Sequence, residues 1–436
     1  MKPAILALAF IPLVHSHTAS MISIPILGGL VGYAINWTGV WMLYRPLGFV
    51  GLRVPGLLPL VRRLPRKLQD VPGLKDGGIG WQGIIPSRAG KLGSVAVDTQ
   101  IAKIGTPGEF YAQLDHDELE RSMAEHLRGE LRGLVEQVVQ RDYPELWHDL
   151  PPRFRELIHD RVQDELPDVT REVVDQIGRH IDDLLDVKLM VIRLLQARPE
   201  LTNRLFHEVG RKEFRFIINF GFVFGFLLGL PIILLVEALP YWWTLPAAQA
   251  VAGYVTNWLG ILMIYEPVEA RRIGPFRWQG LFPRRQHEAA ATYAEIIAAD
   301  VITVHNIGDE LLRGPRSDRT QELIRSVLRP LVDRVAGRAR AALEVAYGTE
   351  RYEAARQSFV DEAMDQTVAT LRDLETNERQ NAAIRTLFTD RMRALPSRDF
   401  AETMRAATRQ DEWLLLAHGA VFGTVGGLLH YVIFGV

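Results

Sequence analysis

The chain has 436 residues, 48% of them hydrophobic and 23% charged, with a formal net charge of -2 and no cysteine. That length leaves room for two or three domains. The near-neutral balance excludes a globally basic nucleic-acid binder. The lack of cysteine excludes disulfides, thiol catalysis and cysteine-based zinc sites.

The average composition hides a strong segregation. No formally charged residue lies between Lys2 and Arg45, within Phe216–Val236, within Ala238–Tyr265 or within Trp413–Val436. Uncharged apolar runs of about 20 residues match the roughly 30 Å of hydrocarbon in a bilayer. In chain order, residues 1–20 form an apolar segment in which Ala4–Val14 follows Lys2 as in a signal peptide. No small-x-small cleavage site follows it, and Pro12 and its shortness argue against a full span. It is expected to be retained and to span poorly. A first transmembrane helix is expected over 21–45. A charged helical domain follows over 46–213, with a basic, proline-rich insertion at 49–76. A second span is expected over 214–237, an external link over 238–246 and a third span over 247–265. A second charged domain covers 266–411, and a fourth span covers 412–436.

Three blocks recur. Gly32-Tyr-Ala-Ile-Asn-Trp-Thr-Gly-Val-Trp-Met-Leu-Tyr-Arg-Pro46 returns as Gly253-Tyr-Val-Thr-Asn-Trp-Leu-Gly-Ile-Leu-Met-Ile-Tyr-Glu-Pro267, with eight of fifteen positions identical at an offset of 221. Trp81–Arg88 returns as Trp278–Arg285 at an offset of 197, and Gly221–Leu230 as Gly419–Leu428 at 198. The first offset change is a 24-residue insertion in the first copy. The expected fold is therefore all-α: a multi-pass membrane protein of two tandem repeats, each with two transmembrane helices flanking a long-helix cytoplasmic domain.

Lysine and arginine set the expected orientation. Arg45–Lys91 holds nine of them against Asp70 and Asp76, whereas the link carries none and holds Tyr241, Trp242 and Trp243. The positive-inside rule then places both charged domains in the cytoplasm, beneath the cell inner membrane. Those domains read as helical, with apolar residues near a 3.6 period in Asp168–Gln196 and Leu323–Val335. Asp115 with Glu118 resembles a capping box, and Ser317 is expected to cap a helix after the turn at Gly314-Pro315. No run alternates long enough to demand a sheet.

The sharpest candidates sit inside the spans. Gly32, Asn36 and Gly39 fall on one helix face, and Gly253, Asn257 and Gly260 repeat the spacing. A carboxamide in hydrocarbon must find partners or cost several kcal/mol. It serves either as helix-packing glue or as part of a substrate or ion path. Gly221, Gly225, Gly229 and Gly419, Gly423, Gly427 give the closing helices a smooth face for close contact, within the chain or between chains. Arg62, Arg63, Arg66, Lys67, Arg284 and Arg285 are the candidates for lipid headgroups, each worth about 1 kcal/mol near an anionic surface. Arg45 and Glu266 hold equivalent positions with opposite charge; they either pair or are solvated separately. Asp115-His-Asp117 and His180-Ile-Asp-Asp183 lack a spaced ligand set and read as solvated helix faces. No nucleotide-binding, nucleophile-elbow or zinc-hydrolase motif occurs, so no catalytic residue, metal or cofactor is assigned.

The chain resembles the bacterial membrane-protein family catalogued as domain-of-unknown-function family 445. The residues that carry the likeness are Gly32-Tyr-x-x-Asn36 with Met42-Leu-Tyr-Arg-Pro46, Gly253-Tyr-Val-Thr-Asn257, Gly274-Pro275 and Gln279–Gln286. Gly210-Arg-Lys-Glu-Phe214 and Gly314–Thr320 add to it. Ile35 stands where the family usually has threonine, and the insertion is richer in proline. The resemblance implies the architecture and brings no activity with it. The expected function is a non-enzymatic membrane scaffold or lipid-engaging assembly protein of the cell envelope. Its partners would be membrane lipid and a second copy or another membrane protein, not nucleic acid. The alternative is a lipid or small-solute transporter or channel acting as an oligomer. An enzyme without a recognisable motif is the third possibility.

Overall fold

A computed structural model describes residues 17–55, 57–65, 69, 71–74, 78–337, 340–341, 344–345, 348–373, 378–394, 396, 405 and 409–435. In chain order the principal elements are α1 (His17–Tyr44), β1 (Val50–Arg53), β2 (Gly78–Trp81), α2 (Ala89–Ala96), α3 (Pro107–Tyr111), α4 (His116–Asp142), α5 (Pro152–Leu184), α6 (Val187–Ala197), α7 (Pro199–Ala238) and α8 (Thr244–Tyr265). They continue with β3 (Arg271–Ile273), β4 (Phe276–Trp278), α9 (Gln286–Ile296), α10 (Val304–Arg313), α11 (Ser317–Ala336), α12 (Thr349–Asp373), α13 (Glu378–Ala394) and α14 (Glu412–Phe434). Helix dominates, and the strands form two separate two-stranded antiparallel hairpins, β1–β2 and β3–β4.

Among the described residues four helices are long and apolar enough to cross a membrane: α1, α7, α8 and α14. The described part of α1 already includes His17–Ser20, ahead of the expected start at Met21. The second span is the distal part of a 40-residue helix that starts at Pro199. No proline interrupts the stretch between Leu201 and Phe216, so the helix runs on into the apolar segment. Prolines inside α1 and α7 (Pro25, Pro231) are tolerated, as membrane helices allow. Helix α14 stops at Gly435, whose φ of +76° suits only a residue without a Cβ penalty.

The chain divides into two compact units. The first comprises residues 1–100, 192–293 and 393–436, and holds the four apolar helices. On α1, Ile22, Ile26, Leu30, Tyr33, Trp37 and Trp41 are exposed at helical spacing. In a lipid environment such an apolar stripe faces its solvent. The opposite face of α1 lies along α7, and α8 lies along α14 in the same way. Helix α1 also meets α14, and α7 meets α8, which closes the four helices into a ring. One end of the ring buries Met21, Ile24, Ile232, Val236 and Leu245. At the other end Leu43, Tyr44, Ile84, Ile85 and Leu92 form a second cluster.

The second unit, Ile101–Val191 with Ala294–Met392, is a helical bundle in which α5 packs on α4 and α11, and α12 on α4 and α11. Its core includes Leu131, Val135, Trp147, Val162 and Leu166. The helix starts follow the local chemistry. Asp115 accepts from the Glu118 amide at 3.0 Å and opens α4. Thr106 and Glu109 form a reciprocal capping box before α3. Thr303 accepts from the Asn306 amide at 3.1 Å before α10. Ser317 departs from expectation. It is the first helical residue of α11, the cap position is Arg316, and no side-chain cap bond forms. The turn from Gly314 supplies the bond instead, from the Ser317 amide to the Gly314 carbonyl at 3.1 Å.

Candidate functional site

The two carboxamides within the spans are spent on the backbone of a neighbouring helix. Asn36 Nδ2 donates to the Ile217 carbonyl on α7 at 2.6 Å. Asn257 Nδ2 donates to the Leu415 carbonyl on α14 at 2.6 Å. Asn36 is 3% exposed, so in hydrocarbon this bond removes most of the cost of burying it.

The glycines flank those bonds. A Cβ on Gly32 would overlap the Gly221 carbonyl oxygen, and one on Gly253 the Gly419 carbonyl oxygen. Gly225 meets Gly28 and Gly423 meets Gln249 in the same backbone-to-backbone way. Gly229 and Gly427 lie against Pro25 and Pro246. All six closing-helix glycines thus line the α1–α7 and α8–α14 seams within the chain. Gly39 and Gly260 do not take part. A Cβ on either would meet its nearest neighbour, His418 or Ile217, only at 3.9 and 4.0 Å.

A polar seam that reading formal charges alone passes over lies between α1 and α14. Ser23 Oγ is 2.8 Å from His430 Nε2, and Thr38 Oγ1 is 3.2 Å from His418 Nε2. Each hydroxyl also lies within donating distance of a carbonyl of its own helix, Ser20 at 2.7 Å and Ala34 at 2.7 Å. Whether the imidazole Nε2 donates or accepts in these contacts is set by its tautomer. His418 Nδ1 is buried without a hydrogen-bond partner among the described residues. Treating histidine as neutral hid both rings inside a run that looked uniformly apolar. Counting titratable groups in the spans would have found them.

Beyond Tyr44 and Tyr265 the chain turns the same way twice. The Arg45–Pro46 and Glu266–Pro267 peptides are cis. The Gly83 amide donates to the Pro46 carbonyl, and the Gly280 amide to the Pro267 carbonyl, both at 2.9 Å. Gln82 Nε2 reaches the Leu47 carbonyl at 2.7 Å and Gln279 Nε2 the Val268 carbonyl at 3.0 Å. The hairpins pair Val50 with Trp81 and Arg271 with Trp278. Strands of three or four residues are too short to alternate visibly, which is why the sequence pattern did not announce them. The first hairpin leaves Leu52 79% and Val50 65% exposed.

Among the described ion pairs that cross between the chain's halves, two bury their acid. Arg88 meets Asp411 through Nη2–Oδ1 at 3.1 Å and Nε–Oδ2 at 3.2 Å. Arg285 Nη1 meets both Glu213 oxygens at 2.6 and 2.7 Å. Arg285 also holds Glu288, with Lys212 on the other side at 2.6 Å, and these two cations pull the Glu288 carboxyl down to about 2. Glu266 pairs with Arg405 at 2.9 Å rather than with Arg45 or with water alone; helix α14's approach brings Arg405 over the Tyr265 ring.

Of the proposed headgroup contacts, Arg62, Arg63 and Arg284 are solvent-facing or half-exposed, Arg285 is committed to its acids, and Arg66 and Lys67 lie outside the described residues. His116 and His180 bond to backbone carbonyls of Tyr111 and Gln176, each at 3.0 Å. Among the described residues no group of three metal-capable side chains gathers.

No protein-family model matches the chain, and no solved structure matches it. Curated relatives do. A protein of Synechococcus sp. (strain JA-3-3Ab) is 36% identical over 98 residues, 21% of this chain and 23% of that protein. One of Shouchella clausii (strain KSM-K16) is 33% identical over 116 residues, 22% of this chain and 29% of the relative. One of Halalkalibacterium halodurans is 36% identical over 76 residues, 17% of this chain and 20% of the relative. All three carry the name UPF0754 membrane protein. These relatives are membrane proteins. The matched region spans 20% to 29% of their length, so the likeness supports a membrane protein with four apolar helices and says nothing of an activity.

Proposed function

We propose that the chain is a non-enzymatic membrane scaffold: a ring of four spanning helices that anchors a charged helical bundle and engages lipid at its rim. The observation that carries this reading is the bonding of Asn36 and Asn257. Both carboxamides within the spans close onto a neighbouring helix at 2.6 Å, which supports a role as glue.

The same reading takes the chain as a tandem duplication. Support comes from bonds between equivalent positions of the recurring blocks: Asn36–Ile217 with Asn257–Leu415, and Arg88–Asp411 with Arg285–Glu213. The likeness to the family of domain 445 belongs to the same proposal, as do an inner-membrane location and cytoplasmic charged domains, which rest on the basic loops. The hairpin, with Leu52 exposed near Arg62 and Arg63 in sequence, suits the headgroup region of an anionic leaflet.

Native mass spectrometry from native-lipid nanoparticles tests the scaffold. The expected result is a defined assembly that keeps anionic lipid, and loses it when Arg62, Arg63 and Arg284 become glutamine. A second reading, transport by an oligomer, draws on His418 and His430 buried in the spans. Solute flux in proteoliposomes that disappears in a folded Asn36→Leu/Asn257→Leu protein would put transport in place of the scaffold.

A further inference from the structure

The helical bundle is packed unevenly along its length. Helices α4, α5, α11 and α12 run side by side, alternately up and down. Toward one end, Leu131, Leu134, Leu166, Leu328 and Leu331 fill the space between them and leave a gap of about 30 Å³. Toward the other end the facing positions carry Val135, Val139, Val162, Val335, Ala336 and Ala355, and a cavity of about 220 Å³ opens. Leucine reaches the bundle axis; valine and alanine stop short of it. The void opens where these shorter side chains face one another, with Tyr143, Ile158, Tyr352 and Phe359 completing its wall.

Water is a poor filler for this space. A buried water needs two to four polar partners. The wall is mostly apolar; its polar side chains are the Tyr143 and Tyr352 hydroxyls, the latter donating to Asp333 Oδ1 at 3.0 Å, and the Arg356 guanidinium at the mouth. An apolar cavity of about 150 Å³ takes up a small hydrocarbon, and this one is larger. At the mouth, Arg356 lies 3.3 Å and Arg340 3.2 Å from Asp333, and each also pairs with a glutamate, Glu353 and Glu344, so both cations are already matched by acids. The recognition is then for the chain of a guest rather than for the charge of its head.

We propose that this cavity binds the alkyl chain of a single-chain amphiphile, with its polar head left among Arg340, Arg356 and Asp333. Alkyl chains are the apolar molecules that four spanning helices keep beside this protein. The site rests on the packing of the bundle alone and is independent of the scaffold reading.

Photolabelling tests it. Full-length protein in native-lipid nanoparticles is irradiated with hexadecanoic acid bearing a diazirine on its chain, and labelled peptides are mapped. Label is expected on peptides of α4 and α12 around Val139 and Ala355, in addition to the spanning helices. An excess of unlabelled hexadecanoic acid or of neutral hexadecanol should remove the bundle label. Ala355→Trp, or Ala336→Phe on the opposite wall, should abolish it while labelling of the spanning helices persists as the internal control for folding. Label confined to the spanning helices in the unmodified protein, or bundle label unchanged in both filled variants, overturns the proposal.

Discussion

Arg285 holds Glu213 through both carboxylate oxygens, at 2.6 and 2.7 Å, although 72 residues separate them. Glu213 is 3% exposed, and this guanidinium is its ion-pair partner. Arg285→Met strands that carboxylate and should destabilise the protein by roughly 3 kcal/mol, the lower end of what breaking a buried pair costs. Arg88→Met, opposite Asp411, should behave alike. Lys212→Met removes only a pair with half-exposed Glu288 and should cost less than about 1 kcal/mol. Chemical denaturation in detergent, comparing the three variants, checks the order.

The glycine seams predict a contrast rather than a general sensitivity. Gly32→Ala and Gly253→Ala press a methyl group onto a facing backbone carbonyl, and backbone cannot move aside as a side chain can. Each should cost about 1–3 kcal/mol. Gly39→Ala and Gly260→Ala meet only ordinary contacts at 3.9 and 4.0 Å and should be neutral. Thermal midpoints of the four purified variants decide the matter.

Acid should weaken the Glu288 contacts in a defined window. The folded carboxyl sits at about 2 because Arg285 and Lys212 favour its charged form, against an ordinary value of 4.5. A depressed value gives stability that is present above 4.5 and is lost as the pH falls through about 2. The acid limb of the stability curve should therefore shallow in Glu288→Gln, and it should shallow for the wild type in high salt.

Alkali probes the bundle. Burial, with a hydrogen bond to Asp333 second, pushes the Tyr352 hydroxyl up to about 12 from 10. Its contribution to stability is complete below pH 10 and is lost as the pH rises through about 12. A tyrosinate absorbance titration should show several late-titrating groups, Tyr111 and Tyr293 among them, and Tyr352→Phe should remove one of them.

Capping separates two similar-looking positions. Asp115→Ala removes a real bond to the Glu118 amide and should cost about 1 kcal/mol. Ser317→Ala removes no cap bond and should cost little. Urea midpoints of the two variants give the comparison.

Much of the membrane ring could be read from the chain itself. Charge-free runs mark the four apolar helices, and the glycine spacing marks the faces on which they meet. The partners were less legible. That Asn36 bonds Ile217 requires knowing which helices are neighbours, and nothing local in either segment states it. The crossed pairs of Arg88 and Arg285 were hidden for the same reason: each acid lies in another part of the chain. The hairpins were missed because three or four residues cannot show a period of two. His418 and His430 were missed because charge was counted at neutral pH.

The backbone-to-backbone seams bear on how the helices come together. Where Gly32 meets Gly221 and Gly253 meets Gly419, there are no rotamers to freeze. A helix already formed in lipid has also given up its chain freedom before it finds its neighbour. Docking at these seams is therefore nearly free of side-chain entropy loss, and the modest attraction of close-lying peptide groups adds to the Asn36 and Asn257 bonds that cross the same seams.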